Sequence, residues 1–306
     1  VTDTVDKAPA PPEQIKAIPV RHYGRWVAGA VVLALVALIG VAFSNAKINY
    51  SVIPDYVFDP DIVSGAWTTL YISVLAMVLG VVLGVILAVM RLSSNPVTST
   101  VAWFYIWFFR GTPVLVQLLL WYNISLVFPI LNLGFYKNEM NQVMTPVLTA
   151  LLGLGLNEAA YMSEIVRAGI QSVDEGQTEA SHALGMTQAQ TLRRVILPQA
   201  MRVIVPPTGN EFINMLKTSA LAYSVQLPEL IKKATDISST SLAVVEMYFV
   251  ACIWYLILTT VFSIGQYYIE RRYARGSSRN LPPTPLQRFR KNLRIFGSFR
   301  RPEVAR

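Results

Sequence analysis

The sequence predicts an all-α polytopic membrane protein with about six transmembrane helices. Three observations carry that expectation. Six apolar segments, each long enough to cross a hydrocarbon layer as a helix, recur along the chain. Charged residues make up only 14% and hydrophobic ones 53%, where a soluble domain carries about 25% charged. Lys and Arg gather at alternate ends of the segments, as loops on one side of a membrane do. Mean hydropathy is +0.44. The formal charge of +8 fits such flanking residues, and nucleic acid is not an expected partner.

In chain order, residues 1–20 are rich in Pro, Ala and charge and read as a disordered cytoplasmic tail. Residues 21–61 hold an additional helix and an external loop. That helix, residues 26–43, contains no charge and exceeds the about 7–15 residues of a signal-peptide core, so it is expected to be retained despite the loosely cleavage-like Ser44-Asn45-Ala46. Residues 62–275 form the main transmembrane unit, with segments at 62–90, 101–128, 145–170, 195–220 and 244–269. The second of these five is interrupted by Arg110-Gly111-Thr112-Pro113; Pro113 suits a first helical turn and puts Gln117 one turn inside. In the fourth, Pro206-Pro207-Thr208-Gly209 is expected to break the helix just before Asn210. Residues 276–306 form a basic tail with interleaved Phe289, Ile295, Phe296 and Phe299, either an interfacial segment on anionic lipid or a solvated topology signal.

Orientation follows from Arg21, Arg25, Arg91, Arg167, Arg193, Arg194, Arg271, Arg272 and Arg275, which six crossings place on one side. The opposite loops, residues 44–61, 129–144 and 221–243, carry Asp55, Asp59, Asp61, Glu139, Glu229 and Asp236 with fewer basic residues. Both termini are therefore expected to be cytoplasmic.

Residues 171–194 are too polar to span a bilayer. Asp174 and Glu175 open a short helix, Gly185 ends it in a positive-φ turn, and Thr187 with Gln190 forms a capping box for the next one. Leu197-Pro198 then returns to the membrane, with a break or kink at the proline. This stretch resembles the EAA loop of binding-protein-dependent ABC importer permeases. Glu179, Ala180, Gly185, Leu197 and Pro198 fall in register, while Ser181 and Val195 replace Ala and Ile. Gly65-Ala66-Trp67-Thr68-Thr69-Leu70, Arg110-Gly111-Thr112-Pro113, the run from Ala160 to Arg167, and Leu216-Lys217 resemble the polar amino-acid uptake branch of that family. Thr218-Ser219-Ala220 departs from it by lacking an acidic or amide group. The resemblance implies a type I importer fold, a loop that docks an ATPase, and a bacterial plasma membrane location. It also implies a partner set: a dimer of ATPase subunits, an extracytoplasmic solute-binding protein, and a second permease subunit, identical or related. A channel or membrane sensor without a motor is the competing reading, and it has no use for a rigid docking helix.

Intramembrane polar residues are costly and mark candidate sites. Asn157, Tyr161 and Glu164 share one helical face; Asn210, Asn214 and Lys217 share another. Glu158 and Glu211 lie roughly 100° from these stripes. At about 1.5 Å per residue, Asn157, Tyr161, Asn210 and Asn214 reach one level near the midplane, with Glu164 below them and Lys217 at the external end as a gate or anchor. Asn157, Tyr161, Glu164, Asn210, Asn214 and Gln117 are thus the candidate solute-binding residues. The structural alternatives are amides acting as packing glue and a simple Glu164–Arg167 pair. No catalytic constellation appears, so the chain is not expected to be an enzyme. It holds no Walker-type phosphate loop either, and ATP with its Mg ion is assigned to the partner ATPase. His22 and His182 are far apart, and the single Cys252 excludes an internal disulfide.

Overall fold

A computed structural model describes residues 23–273 and, beyond them, Gln287. The readings of residues 1–20 as a disordered tail and of 276–306 as an interfacial or solvated segment fall outside the described residues, Gln287 apart. The chain divides into two compact units at residue 48. The first contains α1 (Tyr23–Ser44), a 22-residue helix. It is apolar all round from Trp26 to Phe43, as expected of a helix surrounded by lipid.

The second unit begins with α2 (Ile53–Val57) and α3 (Pro60–Arg91). Next come α4 (Pro96–Gly111) and α5 (Val114–Tyr122). Three of the unit's helices start the same way. Asp59, Asn95 and Thr145 each turn a side-chain oxygen to an early helical N–H, and a proline follows at the first position, where it forfeits no bond. A two-stranded antiparallel hairpin, β1 (Ile130–Asn132) and β2 (Lys137–Glu139), sits in the loop before α6 (Met140–Val143) and is the one departure from an all-α chain among the described residues. Then follow α7 (Pro146–Gln171), α8 (Glu175–Ala183), α9 (Gln188–Thr191), α10 (Leu197–Thr218), α11 (Leu230–Ser241) and α12 (Val244–Tyr273).

The closest packing joins α3 to α7. Gly80 and Gly84, a Gly-x-x-x-Gly pair, let the two backbones approach. A Cβ at Gly80 would stand 2.6 Å from Glu158 Cγ, and one at Gly84 2.5 Å from Met162 Cβ. Buried side chains fill three levels of the unit. Ile62, Leu230, Met247 and Val250 join α3 to α11 and α12. Ile72, Leu118, Leu154 and Met215 form the middle. Met77, Met162, Val166 and Ile204 lie toward the α8 end.

The interruption expected at Arg110-Gly111-Thr112-Pro113 is present, and it is a sharp bend: α4 and α5 meet at 102°. Thr112 is extended (φ −115°, ψ 144°), as a residue before proline prefers, and this ends α4. The break expected at the double proline is corrected: α10 runs unbroken from Leu197 to Thr218. Pro206 and Pro207 remove two ladder donors, which frees the carbonyls of Arg202 and Val203 one turn earlier. Gln266 Nε2 on α12 ties the two helices together at this level, donating to the Pro206 carbonyl at 2.6 Å.

Among the described residues, α1, α3 and α12 are long and apolar enough to cross a membrane singly, and α4 with α5 would make a bent fourth span. α7 and α10 have the length, 26 and 22 residues. Their polar side chains keep them below that apolarity, and these side chains build the site.

Candidate functional site

A cavity of about 310 Å³ opens between α5, α7 and α10, lined by Asn157, Glu158, Tyr161, Glu211, Asn214, Lys217 and Thr218 with Val114, Leu154 and Met215. Three of the candidates named from sequence, Asn157, Tyr161 and Asn214, meet there. Glu158 is 5% exposed, and its Oε1 has no hydrogen-bond partner among the described residues. Its stem lies against Gly80, so the close α3–α7 approach fixes where the carboxylate stands.

The other three candidates lie elsewhere. Asn210 faces α12, its Nδ2 3.4 Å from Glu270 Oε1. Glu164 lines a second cavity and pairs with Arg167 at 2.6 Å, as the simpler sequence reading had it. Gln117 is 2% exposed and serves the backbone: its Nε2 donates to the Phe109 and Thr112 carbonyls at 3.0 and 3.1 Å, and to Thr112 Oγ1 at 2.7 Å. Asn157 Nδ2 joins it, donating to Phe109 O at 2.8 Å and Gln117 Oε1 at 3.2 Å. These amides satisfy the carbonyls left open by the α4–α5 bend, so Asn157 both lines the cavity and braces its wall.

Sequence reasoning missed Glu158 and Glu211 as cavity residues and placed Lys217 outside at a gate. The available signal was their position about 100° from the polar stripes, because a cavity wall is wider than one stripe of a helix.

The second cavity, about 580 Å³, lies toward the α8 end of α7. Arg91, Trp103, Ile106, Trp107, Arg110, Gly111, Tyr161, Glu164 and Arg167 line it. The Arg110 guanidinium sits over the Tyr161 ring, 5.3 Å from its centroid.

The polar loop folds as its local signals require. Asp174 caps α8, accepting from Gly176 N–H at 2.9 Å. Gly185 has φ +78°, and Met186 N–H reaches Ser181 O at 3.1 Å while Gly185 N–H reaches His182 O at 2.9 Å, a Schellman closure. Thr187 and Gln190 form the reciprocal capping box of α9. Glu179 and Ala180 are exposed on α8, and Ser181 is buried with its hydroxyl bonded to Gln177 O at 2.6 Å. No break occurs at Leu197-Pro198. A π-turn at residues 192–196 joins α9 to α10, so the proline enters a helix whose hydrogen bonding is already shifted by one residue.

Comparison with known proteins adds to this geometry. A family model described as "Binding-protein-dependent transport system inner membrane component" matches residues 80–275. The arginine transport system permease protein ArgU of Corynebacterium glutamicum is 49% identical over 275 residues, 89% of this chain and 87% of that protein. The L-cystine transport system permease protein TcyB of Bacillus subtilis is 37% identical over 71% of this chain and 88% of its own length. Among solved structures, one described as an amino acid ABC transporter with histidines is 38% identical, with a TM-score of 0.65 over 74% of this chain and all of that one. A chain of the MetNI methionine ABC transporter, at 21% identity and TM-score 0.57 over 70% of this chain and 96% of its own, shares the fold. The chain therefore belongs to the family of binding-protein-dependent transport system inner membrane components, and it is a membrane-spanning permease subunit of an ABC importer, a transport protein rather than an enzyme.

Proposed function

We propose that this permease carries a cationic amino acid, held in passage by the cavity between α7 and α10. The observation behind this reading is a match of charge. The cavity offers two carboxylates, Glu158 and Glu211, and one ammonium, Lys217. A cationic amino acid offers the reverse: an α-ammonium and a side-chain cation against one carboxylate. A buried carboxylate without a partner is costly until a cation pairs with it. The arginine permease relative makes arginine the first compound to test. Asn157, Tyr161 and Asn214 complete the polar lining. Thr218 stands where the resemblance would have placed an acidic or amide group close by, and Glu158 and Glu211 supply negative charge instead.

In this reading α8 docks the ATPase dimer through the face carrying Glu179 and Ala180, with Gly185, Leu197 and Pro198 shaping the loop. ATP and Mg are bound by that partner. A second permease chain, identical or related, and a solute-binding protein complete the importer. Both termini and α8 lie on the cytoplasmic side of the bacterial plasma membrane.

The experiment uses the whole complex in proteoliposomes with its receptor saturated. Glu158→Gln and Glu211→Gln each exchange a charge-assisted bond for a neutral one, and arginine uptake is expected to fall about tenfold, equivalent to ~1.4 kcal/mol, with receptor binding unchanged. Parental arginine uptake in both variants would remove the cationic reading.

A further inference from the structure

Among the described residues, Tyr161 alone lines both cavities, the acidic one between α7 and α10 and the one toward α8. It therefore stands at their junction. The charge reverses across that junction. On the inner side stand Glu158, Glu211 and Lys217; on the other stand Arg91, Arg110 and Arg167 with Glu164 alone opposing them. Glu164 is engaged by Arg167. Arg91 Nη1 donates to Ser99 Oγ at 2.9 Å, and neither Arg91 nor Arg110 has a carboxylate within ion-pair distance among the described residues.

The ring is held from one side by the Arg110 guanidinium. Arg110 belongs to the last turn of α4, and the carbonyl just before it, Phe109 O, is gripped by both Gln117 and Asn157. The backbone that carries Arg110 is thus held at the α4–α5 bend. Tyr161 is carried by α7, which ends at Gln171 only a few residues before α8 begins at Glu175. A rotation of α7 passed up from α8 would slide the ring out from under the guanidinium.

We propose that Tyr161, clasped by Arg110, is the partition that closes the acidic cavity toward the α8 end, and that the arginines beyond it make passage one-way for a cation. A cation released past the ring meets net positive charge, which opposes its return at short range, where screening is weak. The second half of this proposal rests on the cationic cargo; the first does not.

The test uses the full complex in proteoliposomes preloaded with labelled arginine or labelled glutamine, without ATP, and follows exchange with unlabelled solute. Tyr161→Ala is expected to raise exchange of both solutes about two- to fivefold, the scale of one lost cation–π contact at an exposed site. Tyr161→Phe keeps the ring and is expected to stay as tight as the parent. Arg110→Gln is expected to loosen arginine exchange more than glutamine exchange. If Tyr161→Ala assembles and remains tight to both solutes, the partition is overturned. If that variant fails to assemble, Tyr161→Leu and Arg110→Gln carry the test, and tightness in both overturns it equally. Exchange of glutamine rising alone would keep the partition and reject the cationic cargo.

Discussion

Gln117 and Asn157 share one acceptor: both side-chain amides donate to the Phe109 carbonyl, and Asn157 reaches Gln117 Oε1 at 3.2 Å as well. Asn157 combines a packing bond with a place in the cavity wall between α7 and α10, whereas Gln117 lies outside that cavity.

Replacing Gln117 by Leu removes that shared lock. It leaves the Thr112 carbonyl and the Asn157 amide short of partners in a buried place, at about 1–3 kcal/mol per unsatisfied group. The thermal midpoint of the solubilised complex is expected to fall, and exchange through the unenergised complex to rise. An unchanged midpoint would show that the bend holds without the lock.

Gly185 has open space where a Cβ would go, so any cost of substitution comes from its φ of +78° alone. Gly185→Val is expected to cost on the order of 1–2 kcal/mol and loosen the α8 turn, whereas Gly185→Asn tolerates that conformation better. Co-purification of the ATPase should drop with Val and persist with Asn. Equal recovery in the two variants would separate the turn from docking.

Gly209 is filled by its neighbour, since a Cβ there would overlap the Gln266 side chain. Gly209→Ala is expected to lower the thermal midpoint by pushing α12 from α10. Gly209→Ala with Gln266→Ala removes the clash but leaves Pro206 O without its side-chain donor, so it should recover only part of the loss. Full recovery in the double variant would mean that the Gln266–Pro206 bond contributes nothing.

Glu229, which caps the start of α11, is fully buried. Burial raises its pKa from 4.5 to about 7, against the lowering effect of bonds from Ile231 and Lys232 N–H and the Tyr255 hydroxyl. A native pKa above the unfolded one means that the native state holds the proton longer. The stabilisation is full below about pH 4.5 and is lost as pH rises through about 7. The thermal midpoint of the parent should therefore fall, relative to Glu229→Gln, as pH is raised across that window. Parallel curves for parent and variant would remove this role.

Orientation is tested by single cysteines in a Cys252→Ala background, needed because Cys252 is exposed. Cysteines at the exposed positions Ser51, Lys137 and Ser239 should react with an impermeant thiol reagent on whole cells, and one at Gln188 should not. The opposite labelling would invert the proposed topology.

The α8 loop was legible because each of its signals is local: an Asp cap, a positive-φ glycine and a Thr–Gln box act within one turn. The cavity was legible by half. Helical spacing shows that Asn210 and Asn214 share a stripe, yet it does not say that α12 takes Asn210 while the cavity takes Asn214. Glu158 and Glu211 were set aside for lying off the stripe. The interruption around Thr112 was legible in the Arg-Gly-Thr-Pro run, but its angle was not, because apolar length carries no direction. The continuity of α10 escaped because proline rules are local and do not register the packing of α7 and α12 along the helix.

From Gln188 to Thr218 the chain never leaves helix, and its one wide turn lies near the foot, where Leu197 N–H reaches back five residues to Leu192 O. Such a rod, on the order of 45 Å long, is weakest where its turns are widest. A push on the loop is then spent first in flexing that turn, much as a compliant ankle lets a stiff leg lean. Lys217, near the far tip, sits at the end of that lever.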